Sequence, residues 1–210
     1  MVRAQGSDDG EEPSGFLVAP GDYTVSLSKR VRGETTELVE AQPFTVERFR
    51  DGALPPQEDA VEFWDDVAKF NRQITAAGAS LAALDEKVNL LQIATQRVTG
   101  GDPETLDDSW QAIRTEVNEL DALMNGNPAR IAIYERTIPT VRSRLGSVLT
   151  GLRNSTYGPT QTHREQFDYA HEEFEDIRAR LTTLADTTIP EFEAELIEAG
   201  GPWVAGGKIP

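Results

Sequence analysis

The sequence predicts a mainly α protein: an antiparallel up-and-down bundle of three or four helices, the long ones coiled-coil-like, preceded by a short β-hairpin. Two features of the hydrophobic pattern predict it. From Phe63 onward the apolar residues recur at steps of three and four, which lays a continuous stripe along an α-helix. At Tyr23, Val25 and Leu27 they recur at steps of two instead, the spacing of a strand with one face turned to a core.

The strand pattern opens in GFLVAPGDYTVSLSKR, where Tyr23, Val25 and Leu27 alternate with Thr24, Ser26 and Ser28 after a turn at Pro20 and Gly21. A second extended segment carries Leu38, Val39, Phe44, Val46 and Phe49, and residues 32–35 read as the connection between the two. Two or three strands are expected. A ribbon of that size is marginal in water and needs something to lean on.

After Leu54, Pro55 and Pro56 the period changes. Phe63, Val67, Phe70, Ile74, Ala77, Leu81, Leu84, Val88, Leu91 and Val98 form one seam, interrupted by Thr95. Some 40 residues at 1.5 Å each make a rod of about 60 Å, with Gly78 its weak link at ~1 kcal/mol relative to alanine. Thr99-Gly100-Gly101-Asp102-Pro103 ends this helix and starts the next, which carries Leu106, Trp110, Ile113, Val117, Leu120 and Met124. A third seam runs through Ile131, Tyr134, Ile138, Val141, Leu145, Val148 and Leu152, with Pro139 forcing an irregular lead-in and a new helix near that residue. The last seam holds Phe167, Ala170, Phe174, Ile177, Leu181 and Leu184, and Ile189, Phe192 and Leu196 extend it past Pro190 to the stop at Gly200-Gly201-Pro202. The expected organisation is a tail or linker over residues 1–14, a ribbon over 15–52, a bundle over 57–199 and a C-terminal tail over 200–210.

Composition narrows the function. The formal charge is −16, with 36 acidic against 20 basic side chains, so phosphate backbones and anionic lipid surfaces are repelled, and neither nucleic-acid binding nor membrane insertion is expected. Acidity with only four lysines also suits a high-salt habitat. No apolar run reaches the ~18–20 residues that span a bilayer, and the first fifteen residues have no apolar stretch of the signal-peptide kind. Cysteine is absent, which removes disulfides and thiolate metal sites.

Three segments resemble the C-terminal region of bacterial BNR-repeat, sortilin-like β-propeller proteins, a family often labelled glycosyl hydrolases. LVAPGDYTVSLSKRVRGETTELVEAQPFTVE is similar to the closing strands of the immunoglobulin- or fibronectin-like sandwich that follows the propeller. IPTVRSRLGSVLTGLRNSTYGPTQTHREQFDYAHEEF resembles the family's third-to-fourth helix hairpin, and LIEAGGPWVAGGKIP its Gly, Pro, Trp ending. The resemblance implies that the ribbon is the last hairpin of an incomplete β-sandwich, and it implies a secreted or cell-envelope setting. It carries no active site here, because the Ser-x-Asp-x-Gly-x-Thr-Trp box and the propeller blades are absent from the sequence.

The residues themselves give no catalytic constellation. His171-Glu172-Glu173 lacks the second histidine that a zinc-protease helix places four positions on. His163 reads as a partly buried, hydrogen-bonded histidine near a helix start. Asp65-Asp66, Asp107-Asp108 and Glu172-Glu173 read as solvated faces or first-turn charges. No catalytic residue, cofactor or metal is therefore expected. The expected role is a noncatalytic spacer, docking or assembly module with a protein partner, either the missing sandwich and propeller or another copy. The candidate partner surface is Tyr23, Val25, Leu27, Phe44, Val46 and Trp203. Two alternatives are a subunit that completes a glycosidase-like propeller with a separate chain, and self-assembly through an exposed sheet edge.

Overall fold

In the computed structural model the described residues are 18, 20–47, 58–154 and 158–204. The chain is mainly helical, with a two-stranded antiparallel hairpin ahead of the helices. It divides into two compact units, residues 1–66 with 152–159 and residues 67–151 with 160–210. The expected third strand position, Phe49, and the tail over residues 1–14 lie outside the described residues.

The first unit holds the hairpin. Strand β1 (Gly21–Val31) pairs with β2 (Glu34–Val46) from Gly21 opposite Val46 to Val31 opposite Glu34. The turn is shorter than the sequence suggests, because Arg32 and Gly33 alone occupy it with φ of 52° and 87°. Two successive positive φ values make the turn whose twist matches a hairpin, and glycine takes the second without steric cost. Register shifts flank Leu27. Pro43, which cannot donate to a ladder, is tolerated opposite Thr24 because β2 is an edge strand. Thr45 Oγ1 donates to Asp22 Oδ1 at 2.8 Å across the pair. This unit also contains the first turns of helix α1 (Glu58–Thr95), where Ala60, Phe63 and Trp64 are buried. The Trp64 side chain is thus core rather than merely adjacent to the seam.

The second unit is an antiparallel bundle with three legs. The first is the remainder of α1, with Val67, Phe70, Ile74, Leu81, Val88 and Leu91 buried as the spacing predicts. Thr95, the polar interruption, is buried with its hydroxyl donating to the Leu91 carbonyl. The third leg is α5 (Gln161–Thr183), a π-helical turn (Leu184–Thr188) and α6 (Ile189–Glu198). It runs parallel to α1: Phe70 meets Phe167 and Phe174, and further along Lys87 Nζ lies 3.0 Å from Glu193 Oε1.

The second leg is broken. Helix α2 (Pro103–Asn125) runs back along the far half of α1, with Trp110 Nε1 donating to the Val88 carbonyl at 3.0 Å and Arg114 paired with Asp85. It stops short, at Asn125. After a five-residue helix α3 (Pro128–Ala132), the chain returns beside its own departure point, so that a Cβ at Gly126 would lie 3.5 Å from Thr140 Cγ2. Helix α4 (Val141–Asn154) then continues along the near half of α1 and α5. Gly78 marks the junction, because a side chain there would meet both the Arg142 guanidinium and Met124. Four seams therefore make three legs: α2 and α4 are stacked end to end, and each covers one half of the two long helices.

Starts and stops obey local chemistry. Asp102 caps α2 by accepting from Glu104 N–H and from the Thr105 hydroxyl, which holds its carboxyl below the usual range, and Pro103 occupies the first turn. Thr160 and His163 form a reciprocal capping box on α5, so His163 is the hydrogen-bonded histidine that its position predicts. The lead-in to α4 corrects the sequence reading: Ile131, Tyr134 and Ile138 fit the seam spacing but are exposed, and the buried seam begins only at Val141.

The π-helical turn has a cause in the seam. Buried residues on the third leg step 170, 174, 177, 181, 184 and then 189, 192, 196. The single step of five is one residue too many for an α-helix facing one way. Widening one turn, with Ile189 N–H donating to the Leu184 carbonyl five residues back, absorbs it.

Candidate functional site

Tyr23, Val25, Leu27, Phe44 and Val46 share one face of the ribbon. Tyr23 is opposite Phe44, Val46 opposite Gly21, and Leu27 opposite Val39. The Tyr23 and Phe44 rings stack at 5.8 Å, while Val25, Leu27, Val39 and Phe44 are each about half exposed at 56, 56, 46 and 47 %. Among the described residues this apolar strand face is therefore left in contact with water. Among the described residues the sheet contains only these two strands, so each has one edge without a strand partner.

Trp203, the sixth predicted partner residue, belongs to the helical unit. It is half exposed and lines a small cavity of about 240 Å³ with Pro190, Ile197 and Pro202. Glu193 borders the same cavity, its Oε1 held by the charge of Lys87.

Nothing in the sequence hints at a larger groove in the helical unit, because its residues are scattered over 87 positions. Its volume is about 550 Å³, and it lies between α2 on one side and α5, the π-helical turn and α6 on the other. Ala112, Ile113, Leu184 and Phe192 supply apolar lining, and Glu116, Arg180, Glu191 and Glu195 supply charge. Arg180 is committed: its Nε and Nη2 donate to the two Glu116 oxygens at 2.8 and 2.9 Å, Nη2 also donates to Glu119, and Asp176 lies 3.7 Å from Nη1. These bonds hold the Glu116 carboxyl below its usual range and the guanidinium above its own. Glu116 is thereby suited to hold a charge and unsuited to donate a proton. Glu191 and Glu195, one turn apart on α6, leave the groove with a net negative rim.

Disrupting the Glu116–Arg180 pair has a defined pH signature. A carboxylate whose folded pKa is depressed stabilises the fold at pH above its unfolded value of about 4.3, and that stabilisation disappears as pH falls through the folded value. Glu116→Gln is expected to lower stability by about 1 kcal/mol at neutral pH, discounted for the pair's partial exposure, and to flatten the loss of stability on acidification. Urea titrations at several pH values check both.

The histidines do not form a metal site with their neighbours. His171 lies against Phe70 with ring centroids 5.2 Å apart, and among the described residues no group of three potential ligands converges. No helix among them is long and apolar enough to cross a membrane. No family model, curated protein or solved structure matches the chain.

Proposed function

We propose that the chain is a noncatalytic interaction module, and that its ribbon is completed by strands from a protein partner as the C-terminal arm of a sortilin-like propeller protein would require. The supporting observation is the single apolar face of β1 and β2, half exposed along its length in a sheet too small to be self-sufficient.

Affinity capture from the source cells with the wild-type chain and with a Leu27→Ser, Phe44→Ser variant tests the proposal. A partner retained by the first and lost by the second is the expected result, with no glycoside or peptide turnover by either. Turnover that disappears on Glu116→Gln or Glu191→Gln substitution would overturn the proposal.

A further inference from the structure

Residues 127–139, which comprise α3 and its connection to α4, are the most exposed apolar stretch of the described helical unit. Ile131, Ile133, Tyr134 and Ile138 are 55, 71, 95 and 82 % exposed. Arg136 is exposed beside them, and Arg130 is only loosely paired with Glu135 at 3.8 Å. The backbone holds this display at a cost. Glu135 N–H donates to the Arg130 carbonyl and Tyr134 N–H to the Ile131 carbonyl, closing α3 with the motif whose left-handed residue is ordinarily glycine. Here it is Tyr134, at φ 56°. A non-glycine residue in that conformation is disfavoured, and this one buries nothing in return. Strain retained at an exposed aromatic points toward use.

The groove between α2 and the third leg has the complementary chemistry: an apolar lining of Ile113, Leu184 and Phe192, and a negative rim at Glu191 and Glu195. We propose that residues 127–139 of one copy dock into this groove of a second copy, the isoleucines and Tyr134 entering the lining and Arg136 meeting the α6 glutamates. The groove volume, about 550 Å³, is of the size that accepts a few large side chains. Its open side admits a protruding loop more readily than it encloses a small molecule. The net charge of −16 opposes association in dilute buffer. At about 0.15 M salt the Debye length is ~8 Å, so bodies of this size repel weakly while the contacting charges are screened least. Loop and groove are different patches, so a pair joined by one contact still has one free loop and one free groove, and growth continues past a dimer unless a ring closes. This association does not use the ribbon and does not rest on the function proposed above.

Sedimentation and light scattering over a range of concentrations test it. The wild-type mass is expected to rise with concentration past that of a dimer. Tyr134→Gly, which relieves the left-handed strain, is expected to raise the melting temperature while weakening association at least tenfold. Glu191→Arg with Glu195→Arg is expected to abolish association. In equal parts of the Tyr134→Gly, Ile133→Ser protein and the Glu191→Arg, Glu195→Arg protein, the first has a dead loop and a working groove and the second a working loop and a dead groove. Their mixture therefore keeps one working interface and is expected to stop at twice the monomer mass. A wild type that stays monomeric at about millimolar concentration, or association that survives both sets of substitutions, overturns the proposal. Association lost only on Leu27→Ser, Phe44→Ser substitution also overturns it and assigns self-assembly to the ribbon instead.

Discussion

Phe70→Ala is expected to lower the unfolding free energy by about 3–5 kcal/mol, a large part of the ~5–15 kcal/mol typical of a domain. Phe70 is 2 % exposed and is the point where α1 meets the third leg. Its ring is edge-on to Phe167 at 5.4 Å and to Phe174 at 5.5 Å, and His171 covers it at 5.2 Å. Truncation therefore loses the buried area of one ring and two edge-to-face pairs, each pair worth ~0.5–1.5 kcal/mol beyond area. It also leaves a void between two helices whose backbones are held apart by other side chains. Phe70→Leu, which keeps most of the volume, is expected to recover more than half of the loss. Leu90→Ala, on the exposed side of the same helix, is expected to change stability by less than ~0.5 kcal/mol. The measurement is the urea midpoint at constant slope. A loss below about 1 kcal/mol for Phe70→Ala would mean that the two long helices are not fastened there.

What was legible in the sequence is what repeats. In the α1 seam Phe63, Val67, Phe70, Ile74, Leu81, Val88 and Leu91 are buried and Ala77 and Leu84 half-buried, and in the third leg Ala170 to Leu184 and Ile189 to Leu196 are buried where steps of three and four place them, because a long helix with one dry face admits few other solutions. The alternation Tyr23, Val25, Leu27 likewise located β1, and cross-strand pairing put Phe44 and Val46 on its face. Spacing alone could not tell that Ile131, Tyr134 and Ile138 stand in water. Periodicity reports which residues share a side of a helix, and residues 133–140 are not helical. Nor could it show that α2 and α4 share one leg, since that depends on how far α2 runs before Gly126 and where Thr140 returns. The groove was illegible for the same reason: Glu116 and Glu195 are neighbours only through the antiparallel pairing of α2 with the third leg. A signal for the π-helical turn was present, in the one step of five between Leu184 and Ile189.

That step makes the second large prediction. Inserting one alanine between Thr187 and Thr188 is expected to lower stability by ~5 kcal/mol or more, because each added residue rotates the downstream part of a helix by about 100°. Ile189, Phe192 and Leu196, exposed by 1, 3 and 1 %, would be turned off the core, and each is worth ~1.5–3 kcal/mol when fully buried. Two explanations of the wide turn then separate. If proline imposes it, through its missing N–H and its clash with the preceding turn, Pro190→Ala should let the segment relax to a regular α-helix and misplace α6 as the insertion does. If the seam imposes it, Pro190→Ala keeps the turn and changes stability by less than ~1 kcal/mol, since relaxing would expose three large side chains to gain one ordinary hydrogen bond of ~1 kcal/mol. The seam is the stronger term on these magnitudes. Deleting Asp186 together with Pro190→Ala is accordingly expected to give a near-native protein, with Leu184 and the Ile189 side chain now four apart and a continuous helix through the junction. Deleting Asp186 alone is expected to cost ~3 kcal/mol, because it carries the proline into that continuous helix. Urea unfolding of the four variants orders them, and a Pro190→Ala protein as unstable as the insertion would transfer the cause from the seam to the proline.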